Sequence, residues 1–322
     1  MTLKRTIVQW GGGWPDSIGN AFIDFGSMTA ISKAAEDSKV LLSSNFPRSY
    51  LARGFASNRT RILDGAINDK VENLFDIREF INSDFVILSG EILSEYWFKL
   101  CVAKSFFKKK NVRIIIHGGG GTCYSEEEFT AVRRVLKKLN IYAFISRDEH
   151  VFKEYQGIAE HSLNGIDCAF FINDYFVSAK LNLPPYVTFT FDKSNEPKLA
   201  NEKRLIIRTH HAYWSQSSFL KRFRYYNKEN FGKSNTIISD LPQDYLLVYS
   251  NTEETHSDRV HACIPTLAFG KPARLYAETP RTALFDKINS VSITEKLTCP
   301  DIKKIEKEKA RQVKFLSEIL NK

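Results

Sequence analysis

The sequence lacks long hydrophobic runs and any regular spacing of cysteines. No run reaches the roughly 18 consecutive apolar residues that a membrane-spanning helix needs, so no such helix is predicted. The segment from Met1 to Trp10 has only a short apolar stretch before Gly11, which does not fit a signal peptide. The five cysteines show no CxxC spacing, which argues against a disulfide framework or a zinc site. We therefore expect a cytoplasmic protein.

Motifs for metals and nucleotides are missing as well. The sequence has no Asp-x-Asp segment, and His210-His211 has no obvious metal-ligand companion. The glycine run from Gly118 to Gly121 has neither the GxGxxG spacing of dinucleotide sites nor the Lys-Ser/Thr of a P-loop. We therefore predict no bound metal and no cofactor.

The composition is that of a soluble globular protein: 43% of the 322 residues are hydrophobic and 26% are charged. This length is enough for two domains, each with its own core. The net charge of +9 suits an acidic small substrate, an anionic membrane surface or nucleic acid, although a solvated basic surface explains it equally well. The stretch from Phe219 to Tyr226 mixes aromatic and basic residues, as interfacial helices do. Peripheral contact with an anionic membrane is therefore one hypothesis, and an ordinary basic helix is the other.

Segments typical of strands and helices alternate in the first half of the chain, up to about residue 175. The predicted strands are Arg5–Trp10, Ser83–Leu88, Val112–Ile116, Tyr142–Ile145 and Asp167–Ile172, and the predicted helices are Ile18–Lys33, Leu93–Phe107 and Ser125–Leu139. Strict alternation implies parallel strands joined by crossover helices, which is a Rossmann-like sheet. Ligands of such sheets bind at the carboxyl ends of the strands.

Residues 177 to 203 interrupt this pattern with Pro184-Pro185, Asn195 and Pro197, so we place a domain boundary there. A second α/β unit is predicted to follow, with strands at Leu205–Arg208, Tyr245–Tyr249 and Ala273–Tyr276, a helix from Arg259 to Phe269, and a C-terminal helix from Ile302 to Leu320. We predict an α/β protein with two Rossmann-like domains, at residues 1–177 and 178–300, that face a cleft. The C-terminal helix, residues 301–322, is expected to pack back on the first domain.

The segment from Thr255 to Pro265 carries the strongest site pattern, because Arg259 and His261 stand two residues apart at a predicted helix start. Free N–H groups at a helix N-terminus attract anions, arginine adds a rigid donor fork, and histidine can move a proton near neutral pH. On a regular helix these two side chains would diverge by about 200°, so both can face one anion only if Arg259 lies at or before the N-cap. The alternative makes Asp258 an ordinary N-cap, Arg259 its surface partner and His261 a core residue.

Two further strand ends offer candidate residues. Arg147 follows a predicted strand and is expected to point into the cleft, with Asp148 as the cap of the next helix; a capped helix with a surface salt bridge is the alternative. The turn from His117 to Gly121 would let a ligand approach the backbone closely, or it is only a tight turn under the cleft.

Taken in order, these segments resemble the polysaccharide pyruvyl transferase family. Ser17–Ile23 is similar to the family's Asn-x-Gly-Asp turn. Ser257–Ala262 is similar to the family's Arg-Leu-His helix start, and Leu267–Pro272 is similar to its Gly-x-Pro turn. The other segments that carry the resemblance are Ser83–Gly90, the glycine turn after Ile116, and Ile145–Asp148. The sequence departs from this pattern at Asn20, where the family has Asp, and at Ser17, where it has Asn. An asparagine cannot act as a general base, so that role is vacant or moves to Asp16.

The resemblance implies a fold of the GT-B type and a transferase that uses phosphoenolpyruvate as donor. The acceptor would be a sugar of a cell-surface glycan or of its lipid-linked precursor, and pyruvate would be joined as a ketal; no nucleic-acid partner is expected. The first domain would hold the acceptor and the second the donor. The implied catalytic residues are His261, Arg259, Arg147 and Asp16. The implied donor-binding residues are Arg147, Arg259, Val260 and His261. The acceptor or cleft residues are Ser17, Asn20, Gly90, His117, Gly118 and Gly119.

Two alternatives remain open. A glycosyltransferase of the same fold would hold a nucleotide sugar at the same helix N-terminus. A non-catalytic glycan-binding relative would explain the loss of the aspartate at Asn20.

Overall fold

A computed structural model describes residues 5–11, 14, 17–43, 80–94, 112–198, 204–211, 230, 232–288 and 292–322. The strands are β1 (Arg5–Trp10), β2 (Ser38–Ser43), β3 (Phe85–Ser89), β4 (Arg113–Gly119), β5 (Ile141–Ser146), β6 (His161–Asn164), β7 (Tyr186–Thr190), β8 (Leu205–Thr209), β9 (Thr236–Ile237), β10 (Glu254–Ser257) and β11 (Ala273–Leu275). The helices are α1 (Gly19–Ala34), α2 (Glu126–Leu136), α3 (Glu149–Tyr155), α4 (Ile172–Tyr175), α5 (Pro242–Asn251), α6 (Val260–Ala268) and α7 (Ile302–Leu320), with 3-10 helices at Cys168–Phe171 and Pro280–Phe285.

The strands form two separate parallel sheets, in the order β2-β1-β3-β4-β5-β6 and β11-β10-β7-β8-β9. The fold is therefore α/β with two Rossmann-like units, as the alternating pattern predicted. In each sheet the chain first adds strands on one side and then reverses. These reversals fall between β1 and β3 in the first sheet and between β7 and β10 in the second. The crevice outside such a switch point is where ligands of open parallel sheets bind.

Two of the predicted strands are wrong. Tyr245–Tyr249 lies within helix α5, which begins with Pro242 at its first turn and buries Tyr245 and Tyr249, four residues apart, on one face. Asp167–Ile172 contains the 3-10 helix, because the Asp167 carboxylate accepts a hydrogen bond from the Ala169 N–H at 2.9 Å and starts the turn. A short apolar run does not by itself distinguish a buried strand from a buried helix.

Other differences concern the extent of elements. Strand β4 continues past Ile116 to Gly119, so the first glycines of the run belong to the sheet. Ser125 is the N-cap of α2 as predicted, since its hydroxyl accepts a hydrogen bond from the Glu128 N–H at 3.2 Å. The predicted helix Leu93–Phe107 lies almost wholly outside the described residues.

Helix α7 packs back on the first half of the molecule, as predicted. It lies against α1 and buries Leu316, Ile319 and Leu320. Gln312 of this helix accepts a hydrogen bond from the Ile166 N–H at 2.8 Å. One hydrophobic cluster includes side chains of both sheets' helices and of α7, so the two halves and the C-terminal helix share a continuous core.

Candidate functional site

A cleft of about 760 Å³ lies between the carboxyl ends of the two sheets. Its walls are built from the segments that follow β1 and β3 on one side and β7 and β10 on the other, which are the two switch points. The described part of the cleft includes six of the residues expected there: Ser17, Asn20, Gly90, Arg259, Val260 and His261. The position of the cleft is the one that the fold favours for a ligand.

Three cations line the second-half side of the cleft, and we call Lys193, Arg259 and Arg281 the basic wall. Burial lowers the pKa of Lys193, and the charges of Arg259 and Arg281 lower it further, while Asp258 and Asp192 oppose the shift. The two arginines are thus close enough to Lys193 to repel its charge. Such repulsion would be relieved by an anion bound between the three side chains.

Arg259 is the N-cap of helix α6, with an extended backbone conformation (φ −116°, ψ 119°). The side chain can therefore leave the helix axis and turn toward the cleft, which is the geometry that the spacing to His261 required. Its Nε lies 3.3 Å from Oδ2 of the buried Asp192, and its backbone N–H donates to the Ser257 hydroxyl at 2.8 Å. About a fifth of the side chain is exposed, so the guanidinium is held but still accessible.

Asp258 is not the N-cap of α6, and this part of the alternative interpretation is wrong. Its carboxylate instead accepts hydrogen bonds from the backbone N–H groups of residues 192 to 194, at 3.1, 2.7 and 2.8 Å. The Ser194 hydroxyl donates to it as well, at 3.1 Å. Asp258 therefore fixes the loop after β7, and with it the positions of Asp192 and Lys193.

His261 is the second residue of α6 and lies at the boundary between the two halves. A Cβ atom placed on Gly19 would come within 2.7 Å of the Cβ of His261, so the first turn of α1 approaches this histidine closely only because residue 19 is glycine. The ring Nε2 lies 3.4 Å from Oδ2 of Asp167. The histidine lines the cleft and is also a partner of a buried carboxylate.

Asp167 holds a negative charge in the protein interior. Burial favours its neutral form, but His261, Arg147 and the Ala169 N–H outweigh this effect and hold its pKa below the ordinary value. The pair formed with Arg147 NH1, at 3.5 Å, is fully buried on both sides. Asp167 therefore joins the cleft residue His261 to an internal arginine.

Arg147 does not line the described part of the cleft, so the expectation that it points there is wrong, whereas its role in donor binding stays a prediction. Its side chain is fully buried, and its guanidinium lies so close to the backbone that a Cβ on Gly120 would be 1.8 Å from Nε. The NH2 group donates to the Gly121 carbonyl at 3.2 Å. Asp148 caps α3 as predicted, accepting from the Val151 N–H at 2.9 Å.

His117 is also internal, and it does not line the cleft. Its Nδ1 lies 2.7 Å from the Ser27 hydroxyl and its Nε2 lies 2.9 Å from the Gln312 amide nitrogen. Burial lowers the pKa of His117 to about 3, although Asp167 opposes the shift. The neighbouring Gly118 and Gly119 are buried at the end of β4 and are likewise absent from the lining of the described cleft. The strand is longer than predicted, so all three residues belong to the sheet and are buried.

The first-half wall carries two carboxylates that were not among the expected site residues. Asp24 and Glu91 line the cleft together with Asn20. Glu91 Oε2 accepts from Arg281 NH1 at 2.8 Å, which joins the first-half wall to the basic wall. Asp16, the carboxylate considered from the sequence, lies outside the described residues.

Lys193 and Asp192 were missed because they lie in the region that was interpreted as a boundary. The run from Tyr186 to Phe191 is almost uniformly apolar or β-branched, which is the pattern of a buried parallel strand. A polar pair directly after such a run is the signal that could have identified them. His210 and His211 also follow a strand, and His210 Nδ1 donates to Asp192 at 3.0 Å.

In the described part of the chain no group of three His, Cys, Asp or Glu side chains is arranged to hold a metal ion. The same residues include no helix with the length and apolarity needed to cross a membrane. The aromatic and basic stretch from Phe219 to Tyr226 lies outside them, so the membrane hypothesis stays a prediction.

Comparison with known proteins identifies the family. The sequence model of the family described as polysaccharide pyruvyl transferase matches residues 18–279, which include Asn20, Lys193, Arg259 and His261 of the cleft. A search of the curated proteins gave no match. The structure is similar to UDP-N-acetylglucosamine 2-epimerase from Rickettsia bellii, with a TM-score of 0.54, 15% identity, and coverage of 98% of this chain and 95% of that one. It is also similar to S. aureus MnaA in a co-structure with UDP, with a TM-score of 0.52, 12% identity, and coverage of 98% and 91%. At these identities the likeness concerns the fold alone.

Proposed function

Because this chain belongs to the polysaccharide pyruvyl transferase family, we propose that it transfers pyruvate from phosphoenolpyruvate to sugar hydroxyls of a cell-surface glycan or its lipid-linked precursor, as a ketal. The observation that carries the proposal is the pairing of the basic wall with His261 at the N-terminus of α6, in a cleft between two Rossmann-like halves. We further propose that the reaction takes place in the cytoplasm, and that the protein requires no cofactor.

The donor would be bound by the second half. Phosphoenolpyruvate carries about three negative charges near neutral pH, and the basic wall supplies three cations. The planar fork of Arg259 suits the carboxylate or the phosphate, and the free N–H groups of the first turn of α6 favour the same anion. Asp192 would keep Arg259 in place without neutralising the basic wall, since Lys193 and Arg281 remain beside it.

His261 would supply the proton that activates the donor. Protonation of the methylene carbon makes the central carbon of the bound enol electrophilic, and a sugar hydroxyl then attacks it. Phosphate leaves, and a second hydroxyl closes the ketal. General acid catalysis of this kind contributes about 10²–10⁴-fold to a rate. Asp167, at 3.4 Å from Nε2, would orient the imidazole and stabilise its protonated form, and Arg147 would fix Asp167. Arg147 is thus a positioning residue in this proposal.

The direct test is phosphate release from phosphoenolpyruvate, measured with a panel of p-nitrophenyl glycosides of neutral hexoses and N-acetylhexosamines. We expect release that depends on both substrates, and a stabilising thermal shift with phosphoenolpyruvate but not with UDP-sugars. His261→Ala should abolish turnover and keep the thermal shift. A shift with UDP-sugars alone would favour a glycosyltransferase. No phosphate release with any acceptor would favour a non-catalytic glycan-binding protein.

Membrane contact is proposed separately, from the sequence of Phe219–Tyr226. Sedimentation with vesicles of phosphatidylcholine, with and without phosphatidylserine, tests it. More pelleting with the anionic vesicles supports peripheral binding at the inner face of the membrane, and equal pelleting refutes it.

A further inference from the structure

We propose that Asp24 is the general base that takes the proton from the attacking acceptor hydroxyl. This inference rests on the proposed function, because it assigns a residue to the acceptor half of that reaction. The attack on the central carbon of the donor releases a hydroxyl proton, and Asn20, at the start of the same helix, cannot accept it. A carboxylate on the first-half wall is therefore needed.

The other carboxylates of the described cleft differ from Asp24 in position or in burial. The described lining includes four carboxylates, Asp24, Glu91, Asp258 and Glu278. Glu91 is paired with Arg281 at 2.8 Å, and Asp258 accepts four hydrogen bonds from the loop after β7. Glu278 follows β11 on the second-half side and is exposed. Asp24 is the one that combines a first-half position with burial, since only 4% of its surface is exposed.

The carboxylate of Asp24 is held in a defined orientation. Its Oδ1 accepts a hydrogen bond from the Ser89 hydroxyl at 2.9 Å, and Ser89 in turn lies 3.2 Å from the amide nitrogen of the buried Gln9. That same nitrogen donates to the Asp24 carbonyl at 2.9 Å. A Cβ atom placed on Gly11 would lie only 2.5 Å from Oδ2 of Asp24. The carboxylate therefore occupies space that is open because residue 11 has no side chain. Such a fixed carboxylate is suited to accept a proton at one position.

Helix α1 brings Asp24 to the same cleft as the proposed acid. Gly19 at the first turn of α1 lies against His261, and Asp24 is five residues further on, about 7.5 Å along the helix axis. Helix α1 therefore carries both the glycine that contacts His261 and the proposed base, and His261 and Asp24 line the same cleft. His261 and Asp24 would then act from the two walls of the cleft on the same substrate pair.

The step balances as follows. The acceptor oxygen forms a bond to the central carbon with its lone pair, while its O–H electrons stay on oxygen and the proton passes to Asp24. His261 has given its proton to the methylene carbon, which becomes the methyl group. The bond to the phosphate oxygen breaks with both electrons, so phosphate leaves. Asp24 releases its proton to water in the open cleft and His261 takes one up. Over the whole reaction, one hydroxyl proton is found on the methyl group and the other on phosphate.

The test compares Asp24→Asn with the wild-type protein, using the p-nitrophenyl glycoside that gives the fastest phosphate release. Asparagine keeps an acceptor for Ser89 but cannot take a proton, so we expect kcat to fall about a hundredfold or more. The thermal shift produced by phosphoenolpyruvate should be unchanged, because the basic wall is intact. Ser89→Ala removes the hydrogen bond and keeps the carboxylate, so a smaller loss, of about tenfold or less, is expected. Asp84→Asn is the matched control: Asp84 precedes β3, at the opposite end of the strand, and should leave kcat unchanged.

A second variant separates a base from a structural carboxylate. Formate added to Asp24→Ala should restore kcat about tenfold, whereas chloride at the same ionic strength should not. Equal losses in Asp24→Asn and Ser89→Ala, with no rescue by formate, would overturn the assignment and leave Asp24 as a structural residue. If the wild-type protein turns over no acceptor, the proposed function fails and this inference fails with it.

Discussion

The imidazole Nε2 of His261 lies 3.4 Å from Oδ2 of Asp167, a carboxylate with no exposed surface. His261 lies in the first turn of a helix of the second half, and Asp167 is the N-cap of the 3-10 helix that follows the first sheet. The two halves therefore meet through an ionisable pair at the cleft. The same Asp167 oxygen is 3.5 Å from Arg147 NH1, so the orientation of the cleft histidine depends on a buried arginine.

Replacing Asp167 with Asn should reduce both turnover and stability. The amide keeps the size of the side chain but no longer stabilises a protonated His261, and a loss of at least about tenfold in kcat is expected. Arg147 would become an unpaired buried charge, which costs about 3–5 kcal/mol in unfolding free energy. Steady-state kinetics and urea denaturation near neutral pH measure the two effects. A stable variant with unchanged kcat would contradict the proposed role.

The effect on stability should depend on pH in a defined direction. Because the pKa of Asp167 is held below its ordinary value, its contribution is fully present above the unfolded-state pKa of about 4. The contribution is lost as the pH falls further, through the pKa of the folded protein. The difference in unfolding free energy between the wild-type protein and Asp167→Asn should therefore narrow below about pH 4.

Arg259→Lys should weaken donor binding without a loss of fold. Lysine keeps the charge of the basic wall but loses the planar fork and the contact of Nε with Asp192. Affinity for phosphoenolpyruvate, measured by calorimetry, should fall about tenfold or more, which corresponds to about 1.4 kcal/mol. Arg204→Lys is a suitable control, since Arg204 pairs with Glu253 and Glu254 away from the cleft. Unchanged affinity in Arg259→Lys would remove this residue from the site.

The sequence predicts strands with unbroken apolar runs, such as β3, β4 and β5, but not the polar strands β6 (HSLN) and β10 (ETHS). It predicts the site at α6 because a two-residue spacing is compatible with a shared anion only if Arg259 precedes the helix, and Arg259 is the N-cap. Tyr245–Tyr249 was predicted as a strand because its apolar run ends before a helical period is visible. Asp24 was missed because it is the single acidic residue of α1 and belongs to no motif.

Arg147 and His117 show why the sequence does not predict how deeply a side chain at the end of a strand is buried. Both residues lie at the carboxyl ends of neighbouring strands, β5 and β4, which is the region that favours ligand contacts. In the structure, Gly120 allows the guanidinium of Arg147 to lie under its backbone, and α7 covers His117 with Gln312. These are long-range packing relationships, 26 or more residues apart in the chain.

Gly120→Ala should destabilise the protein by displacing Arg147. The new Cβ would lie 1.8 Å from Nε of a fully buried side chain, so the guanidinium must leave its position beside Asp167. We expect a loss of about 3 kcal/mol or more in unfolding free energy, together with lower turnover, because the orientation of His261 depends on Asp167. Gly157→Ala is the matched control, since nothing lies within 4 Å of its added Cβ. Equal stability of the two variants would show that the Arg147–Asp167 pair tolerates separation.

His117 should make the stability of the protein fall between about pH 6.5 and pH 4. Its imidazole is neutral in the fold, because burial lowers its pKa to about 3. The Gln312 amide donates to Nε2, so Nδ1 carries the hydrogen that is donated to Ser27. The unfolded state, with a pKa of about 6.5, binds more protons in this window, so acidification favours unfolding.

The variant His117→Gln cannot titrate at this position. Its unfolding free energy should therefore decline less with acidification than that of the wild-type protein, by on the order of a few kcal/mol over the window. Burial also lowers the pKa of His211, so part of the wild-type slope should remain. Guanidinium denaturation across this pH range measures the slopes, and identical slopes for the two proteins would show that His117 does not couple protonation to the packing of α7.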